Sequence, residues 1–269
     1  MASLNIQDVG PIAQIPAPLA KLTTVRLSVP TEHVLLVAMA RPKALNVFNE
    51  QMEDEMRQVL EWAEQDKDVW TMVLTGEGGA FCAGGDLKPA LTQLRDHPSE
   101  PIPPAVFYGP TSEGFGYLSR RPKSTKPVIA AVNGMAFGGG LEIVLNCDIV
   151  IASDKAKFGF PETKNGLVAI HGAVPRISRI AGHQRASEAY LMGRTLSAKE
   201  AHARFGFVNR VVPHDFVLSS ALGIAAQVVS LATSASQNAP GTTGLEQIQA
   251  TKQMLNQSRN WGPMSMAKL

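Results

Sequence analysis

The sequence predicts an α/β fold whose short buried strands alternate with helices and lead into a helical C-terminal region. Apolar runs too short for helices recur at Val34–Met39, Trp70–Thr75 and Val128–Val132. Between and after them, apolar residues fall three and four apart, the period of a helix with one buried face. Strands alternating with helices pair in parallel through right-handed crossovers. The density of helical patterns after residue 174 adds the C-terminal part.

In chain order, residues 1–22 contain Pro11, Pro16 and Pro18 without sustained periodicity and read as a flexible N-terminal arm. The core is expected over 23–205. Its first buried strand is Val34–Met39, and Asn49 is placed to cap the next helix, with Met52, Met56, Val59, Leu60 and Ala63 on one face. Trp70–Thr75 is a second strand, ending at Gly76. Asp96–Pro110 is polar and Pro-rich and reads as a long surface loop. Val128–Val132 is followed by an Asn133-Gly134 turn and a helix from Gly139. Asp148–Ala152 and Phe207–Val212 are strand-like, and helices are expected near 184–193, 197–204 and 215–232. Residues 206–269 form the C-terminal helical region and tail.

Composition narrows the function classes. Across 269 residues, 45% are hydrophobic, 18% charged, and the net charge is +2. That balance excludes a disordered chain and the strong basic field of a nucleic-acid binder. Two cysteines, Cys82 and Cys147, make no disulfide framework and no zinc-ligand cluster. No secretory leader is expected, and no run of about 20 apolar residues marks a membrane span. The chain ends Ala267-Lys268-Leu269, one exchange from the Ser-Lys-Leu address that a peroxisomal import receptor reads. Asn256–Met266 is expected to be flexible enough to present it. A peroxisomal location is therefore expected, with the cytoplasm as the alternative.

Three segments carry chemistry. Phe81-Cys82-Ala83-Gly84-Gly85-Asp86-Leu87 follows a strand. Asn133 to Glu142, with Gly138-Gly139-Gly140, joins a strand to a helix, and Phe158-Gly159-Phe160-Pro161-Glu162 follows. Glycine clusters let backbone N–H groups approach a ligand, and those opening a helix sit at the positive end of its dipole. Such a site suits an oxygen that becomes negative during reaction. No Gly-x-Gly-x-x-Gly follows the first strand, so a dinucleotide site is not indicated.

Together with Arg41-Pro42-Lys43-Ala44-Leu45-Asn46, these segments resemble the crotonase (enoyl-CoA hydratase/isomerase) superfamily over about Val34 to Val229. The resemblance implies a ββα spiral core and an acyl thioester of coenzyme A as substrate, with no metal or redox cofactor. It implies an oxyanion hole from the N–H groups of Ala83 and Gly139. It also implies a CoA-binding stretch of Lys43, Ala44 and Leu45 with Ala83, Gly84, Gly85, Asp86, Leu87 and Gly139. Glu142 and Glu162 match the two glutamates that hydrate a 2-enoyl-CoA, one serving as base for water and one as acid for the α-carbon. An isomerase would need mainly Glu162, and a CoA-ester- or RNA-binding subunit would need neither.

Three features depart from the family pattern. Ile170 stands where many hydratases have a glycine beside the water, with His171 next to it expected as a loop imidazole on the pocket wall. Cys82 lies beside the oxyanion hole without an activating histidine motif and reads as a small buried thiol. The tail after Leu231 looks short for a family that forms trimers or pairs of trimers, so a homo-oligomer is expected with less support than the fold.

Overall fold

The computed structural model describes residues 15–86, 92, 96, 113–121, 124–165, 169–238 and 241–260. The strands are β1 (Val25–Thr31), β2 (Val34–Met39), β3 (Thr71–Gly76), β4 (Ala80–Cys82), β5 (Val128–Val132), β6 (Met135–Phe137), β7 (Ile149–Ser153), β8 (Lys157–Gly159), β9 (Thr195–Ser197) and β10 (Arg210–Val212). The helices are α1 (Glu50–Gln65), α2 (Gly139–Asn146), α3 (Ala173–Ala181), α4 (His183–Leu191), α5 (Ala198–Ala203), α6 (Val217–Asn238) and α7 (Gly244–Asn260).

Two sheets form. The larger runs β1-β2-β3-β5-β7-β10, parallel except for β1 at its edge, and the smaller runs β4-β6-β8-β9 with β9 antiparallel. Parallel strands covered on both faces read as unbroken apolar runs, which is why Val34–Met39 is buried at every position. Leu35, Val37 and Met39 enter one core with α1, while Val34 and Leu36 enter a second core with α6. Met52, Met56, Val59, Leu60 and Ala63 of α1 are all fully buried. Each of the larger ones contributes about 1.5–3 kcal/mol on removal from water.

Several sequence expectations need correcting. β1 was hidden by Pro30, which an edge strand tolerates, and its register shifts between Ser28 and Thr31. Trp70 precedes β3 and stacks on His33, ring centroids 3.9 Å apart. β10 begins only at Arg210 because Phe207 and Val208 are spent on the core. In the expected N-terminal arm, Leu19 is buried and Ile15 and Leu22 pack against the core, and just past it Glu55 accepts backbone N–H bonds from Thr23, Thr24 and Val25. The arm is therefore docked from residue 15 onward among the described residues.

The segment after Leu231 is not a short polar tail. Helix α6 continues to Asn238, and α7 follows, tied down by Lys252 to Asp148, by Gln249 to Thr125 and by Asn256 to the Ser124 carbonyl. Asn256 is thus part of a docked helix. Residues 214–237 also have the length and hydropathy (1.8) of a membrane span, contrary to the expectation of none. One face of this helix, Val217, Ala221, Ala225 and Val229, packs on the sheet, while 28% of the apolar window is buried. The proposed surface loop, apart from Asp96 itself, lies outside the described residues, as do Leu87 and the C-terminal tripeptide.

Candidate active site

The site collects at the ends of β4, β6 and β8, the three parallel strands of the smaller sheet. β4 delivers the loop 83–86. Phe48 donates its N–H to the Gly84 carbonyl and accepts from the Asp86 N–H, both at 2.9 Å, forming a parallel bridge between Phe48 and Gly85. In such a bridge the N–H of the middle residue points the other way, so that of Gly85 faces away from Phe48. Among the described residues it has no hydrogen-bond partner.

Ala83 does not fit the role expected of it. Its N–H donates to the Leu45 carbonyl at 3.0 Å. In an uninterrupted strand, residues 83 and 85 would point the same way. Gly84 between them has φ +106°, which breaks that alternation and turns Gly85 alone outward. A Cβ at Gly84 would stand 3.2 Å from the Phe137 carbonyl oxygen and 3.7 Å from the Gly139 nitrogen. The loop thus runs beside the start of α2.

β6 delivers α2. Gly138, at φ +54°, caps the helix and donates to the Gly159 carbonyl at 3.0 Å. The Gly139 N–H belongs to the first turn, where no intrahelical acceptor exists, and it has no partner among the described residues. The ring of Phe115 lies over this position, 2.6 Å from where a Gly139 Cβ would stand and 3.4 Å from one at Gly85. A side chain is therefore excluded at Gly139, while a Cβ at Gly85 would meet only ordinary contact.

One turn into α2, Glu142 is 2% exposed. Its Oε1 accepts the His171 N–H at 2.8 Å and the Ala173 N–H at 3.4 Å. The second donor opens α3, whose dipole also favours a carboxylate. His171 Nδ1 approaches Oε2 at 3.3 Å. His171 is buried and touches Glu142, a contact that residue order alone does not reveal. Ile170, beside it, accepts through its carbonyl from the Arg120 guanidinium.

Glu162 follows β8 in a single 3-10 turn, Pro161–Asn165. Its Oε1 lies 3.0 Å from the Cβ position of Gly138, and its Oε2 is buried with no hydrogen-bond partner among the described residues. Burial pushes this carboxyl up to about 7; the charge of Glu142 adds to the rise, and His171 offsets part of it. The two carboxyls are thus differentiated, one held by N–H donors and one with a buried oxygen that has no partner among the described residues.

Lys43, Ala44 and Leu45 lie in a turn bonded to the 83–86 loop through Leu45 and Ala83. Fully buried Asn46 fixes this turn, donating to the Glu77 and Ala80 carbonyls and accepting from the Arg41 N–H. The sequence around Asn46 carries no local signal of that bracing, because its acceptors lie more than 30 positions away. Cys82 is fully buried and its thiol pushed up to about 12 by burial, so it is no nucleophile. A cavity of about 490 Å³ lined by Arg121, Asp148, Arg176 and Arg179 lies apart from both glutamates and both glycine donors.

Two backbone N–H groups without partners among the described residues thus lie near two carboxyls in different surroundings. The chain matches the family model described as "Enoyl-CoA hydratase/isomerase" over residues 30–260 and belongs to that family. It is 40% identical over 214 residues to mevalonyl-coenzyme A hydratase sidH of Aspergillus fumigatus, covering 80% of this chain and 73% of that one. It is 35% identical over 208 residues to the probable enoyl-CoA hydratase echA8 of Mycobacterium bovis, covering 77% and 76%. A probable enoyl-CoA hydratase/isomerase from Mycobacterium abscessus superposes with a TM-score of 0.72 at 33% identity, over 89% of this chain and 84% of that one. The expected crotonase fold is therefore met, and the protein is an enzyme of the hydratase type acting on acyl-CoA.

Proposed function

We propose that this enzyme adds water to a 2-enoyl-CoA with Glu142 as base and Glu162 as acid, the thioester oxygen resting between the N–H groups of Gly85 and Gly139. The observation that carries this is the contrast between the two carboxyls. Glu142, held by the His171 and Ala173 N–H groups, takes a proton from water as its oxygen bonds to the β-carbon. Glu162, desolvated near neutrality, gives its proton to the α-carbon. The transferred protons balance the addition, and exchange between the carboxyls resets the site. Backbone donors stabilise the intervening enolate; one such donor is worth about 3–4 kcal/mol in measured cases. Acid, base and oxyanion donors are all protein groups, which supports the reading that no cofactor beyond the CoA of the substrate takes part. The loops 43–45 and 83–86 lie together, in support of their holding the CoA portion.

Glu142→Gln and Glu162→Gln preserve shape and remove ionisation. Each should lower hydration of a 2-enoyl-CoA by about 10²–10⁴-fold while CoA-ester binding survives. Normal hydration by the Glu142→Gln protein would exclude the two-carboxylate mechanism. Retained 3-enoyl-CoA isomerisation in that variant, without wild-type hydration, would favour an isomerase.

The Aspergillus relative is named for mevalonyl-coenzyme A, a short branched ester, and this supports a short branched acyl group here. The Ala267-Lys268-Leu269 ending supports peroxisomal import through its receptor. Leu191, Met192, Leu231 and Met254, each more than 60% exposed, support assembly into a trimer or pair of trimers; a monomer mass by light scattering would overturn that. Neither nucleic acid nor membrane enters the proposal.

A further inference from the structure

The backbone donors on Glu142 all fall on one of its oxygens. Gly172, at φ +102°, turns the chain so that the N–H groups of His171 and Ala173 converge on Oε1. Among the described residues, neither of these donors reaches Oε2. What approaches Oε2 is the imidazole of His171, its Nδ1 at 3.3 Å, with both side chains less than a tenth exposed. His171 thus meets both oxygens of one carboxyl, the first through its main chain and the second through its ring.

The ring is held in place by the chain that carries it. The Ala169 N–H donates to the Tyr190 hydroxyl, and the Ile170 carbonyl accepts from the Arg120 guanidinium. The His171 carbonyl accepts from Arg176 Nη1 at 3.4 Å. Phe115 lies along the imidazole, ring centroids 6.1 Å and planes 28° apart, and the same Phe115 ring covers Gly139. His171 also acts through space on Glu162 and Glu53, but its contact is with Glu142.

A glutamate carboxyl held through one oxygen turns broadly about its last torsion. With Oε1 taken by two backbone donors, Oε2 is the oxygen with lone pairs to spare for a water. A buried imidazole is costly unless its nitrogens are used, and here Nδ1 is used on that oxygen. We propose that the His171 imidazole is a positioning residue for hydration, fixing the plane of the Glu142 carboxyl so that Oε2 faces the water it activates. Small errors in the placement of a reacting group are expensive in rate, so the ring acts on turnover rather than on binding.

The inference rests on the hydratase reading, and the test separates the two. Hydration of but-2-enoyl-CoA and 3-methylbut-2-enoyl-CoA is measured in wild type, His171→Leu, His171→Asn, Glu142→Gln and the Glu142→Gln/His171→Leu double variant. Leucine fills the space without a polar atom. It should lower kcat about 10- to 100-fold, the range of one hydrogen bond to a charged group, and leave KM within about twofold. His171→Asn places an amide N–H near the position of Nδ1 and should recover most of that loss. Because the ring acts through Glu142, the leucine change should cost less than about twofold more once Glu142 is glutamine. A wild-type kcat in His171→Leu, no recovery in His171→Asn, or an equal loss with and without Glu142 would each overturn the proposal and reduce His171 to packing. If His171→Leu does not fold by circular dichroism, His171→Ala replaces it in both backgrounds. Wild type that binds butyryl-CoA by calorimetry and hydrates neither ester would refute the hydratase reading and the role of His171 with it. Failure of the proposal alone leaves wild-type hydration, and its loss in Glu142→Gln, intact.

Discussion

At the scale of single residues, the site turns on which backbone N–H groups are already committed. Replacing Gly85 by proline deletes the outward N–H, and turnover should fall about 10²–10³-fold, the effect of losing one oxyanion donor. Gly85→Ala keeps the N–H and meets Phe115 only at ordinary contact distance, so it should stay close to wild type. Equal activity in both variants would exclude Gly85 as a donor. Glu162 supplies a pH signature. Its pKa rises from 4.5 to about 7 on folding, so between those values the folded protein keeps a proton that the unfolded chain has released. Its stabilising contribution is full below the unfolded value and is lost as pH climbs through 7. The thermal midpoint should therefore decline across that window, less steeply in Glu162→Gln. Glu53 carries the same shift, so the slope should shrink rather than vanish. Hydration kcat/KM should fall about tenfold per pH unit above about 7, as the acid form disappears.

At the scale of elements, the sequence was most readable where one physical requirement dominated. Asn49 as a cap, the α1 stripe and the unbroken run of β2 each follow from a local rule, and all three stand as read. The Asn49 side chain accepts the Met52 N–H at 3.0 Å. Asn49→Ala should cost about 1 kcal/mol in chemical denaturation and Asn49→Asp much less; no loss in the alanine variant would remove the cap from the account of α1. What sequence could not supply was long-range. The smaller sheet is built from strands of only three residues, too brief for any period to register. Ala83 and Gly85 look alike in sequence, and only the conformation of Gly84 separates them. His171 reaches Glu142 across 29 positions, and Glu53 meets Gly116 across 63. Neither distance leaves a local trace.

At the scale of the whole molecule, the C-terminal segment closes the structure. Lys252 and Asp148, both almost fully buried, clamp α7 to the strand start that holds Val128 through its N–H. The residues beyond α7 carry the expected import address. A fluorescent reporter fused N-terminally should give punctate fluorescence in a cell with peroxisomes and turn diffuse on deletion of Leu269. Diffuse signal from the intact fusion would end the peroxisomal reading and leave the cytoplasm.

The strand ends of the smaller sheet have one more consequence. In the proposed mechanism the successive strands divide the chemical parts: β4 an N–H donor, β6 a second donor with the base one turn behind it, β8 the acid. The parts sit on separate rungs of one ladder rather than on one shared loop. Exchanging a side chain on one rung leaves the backbone donors of the others in register. Such a scaffold is therefore modular, and a lineage could revise its acid or its base one at a time while keeping hold of the thioester.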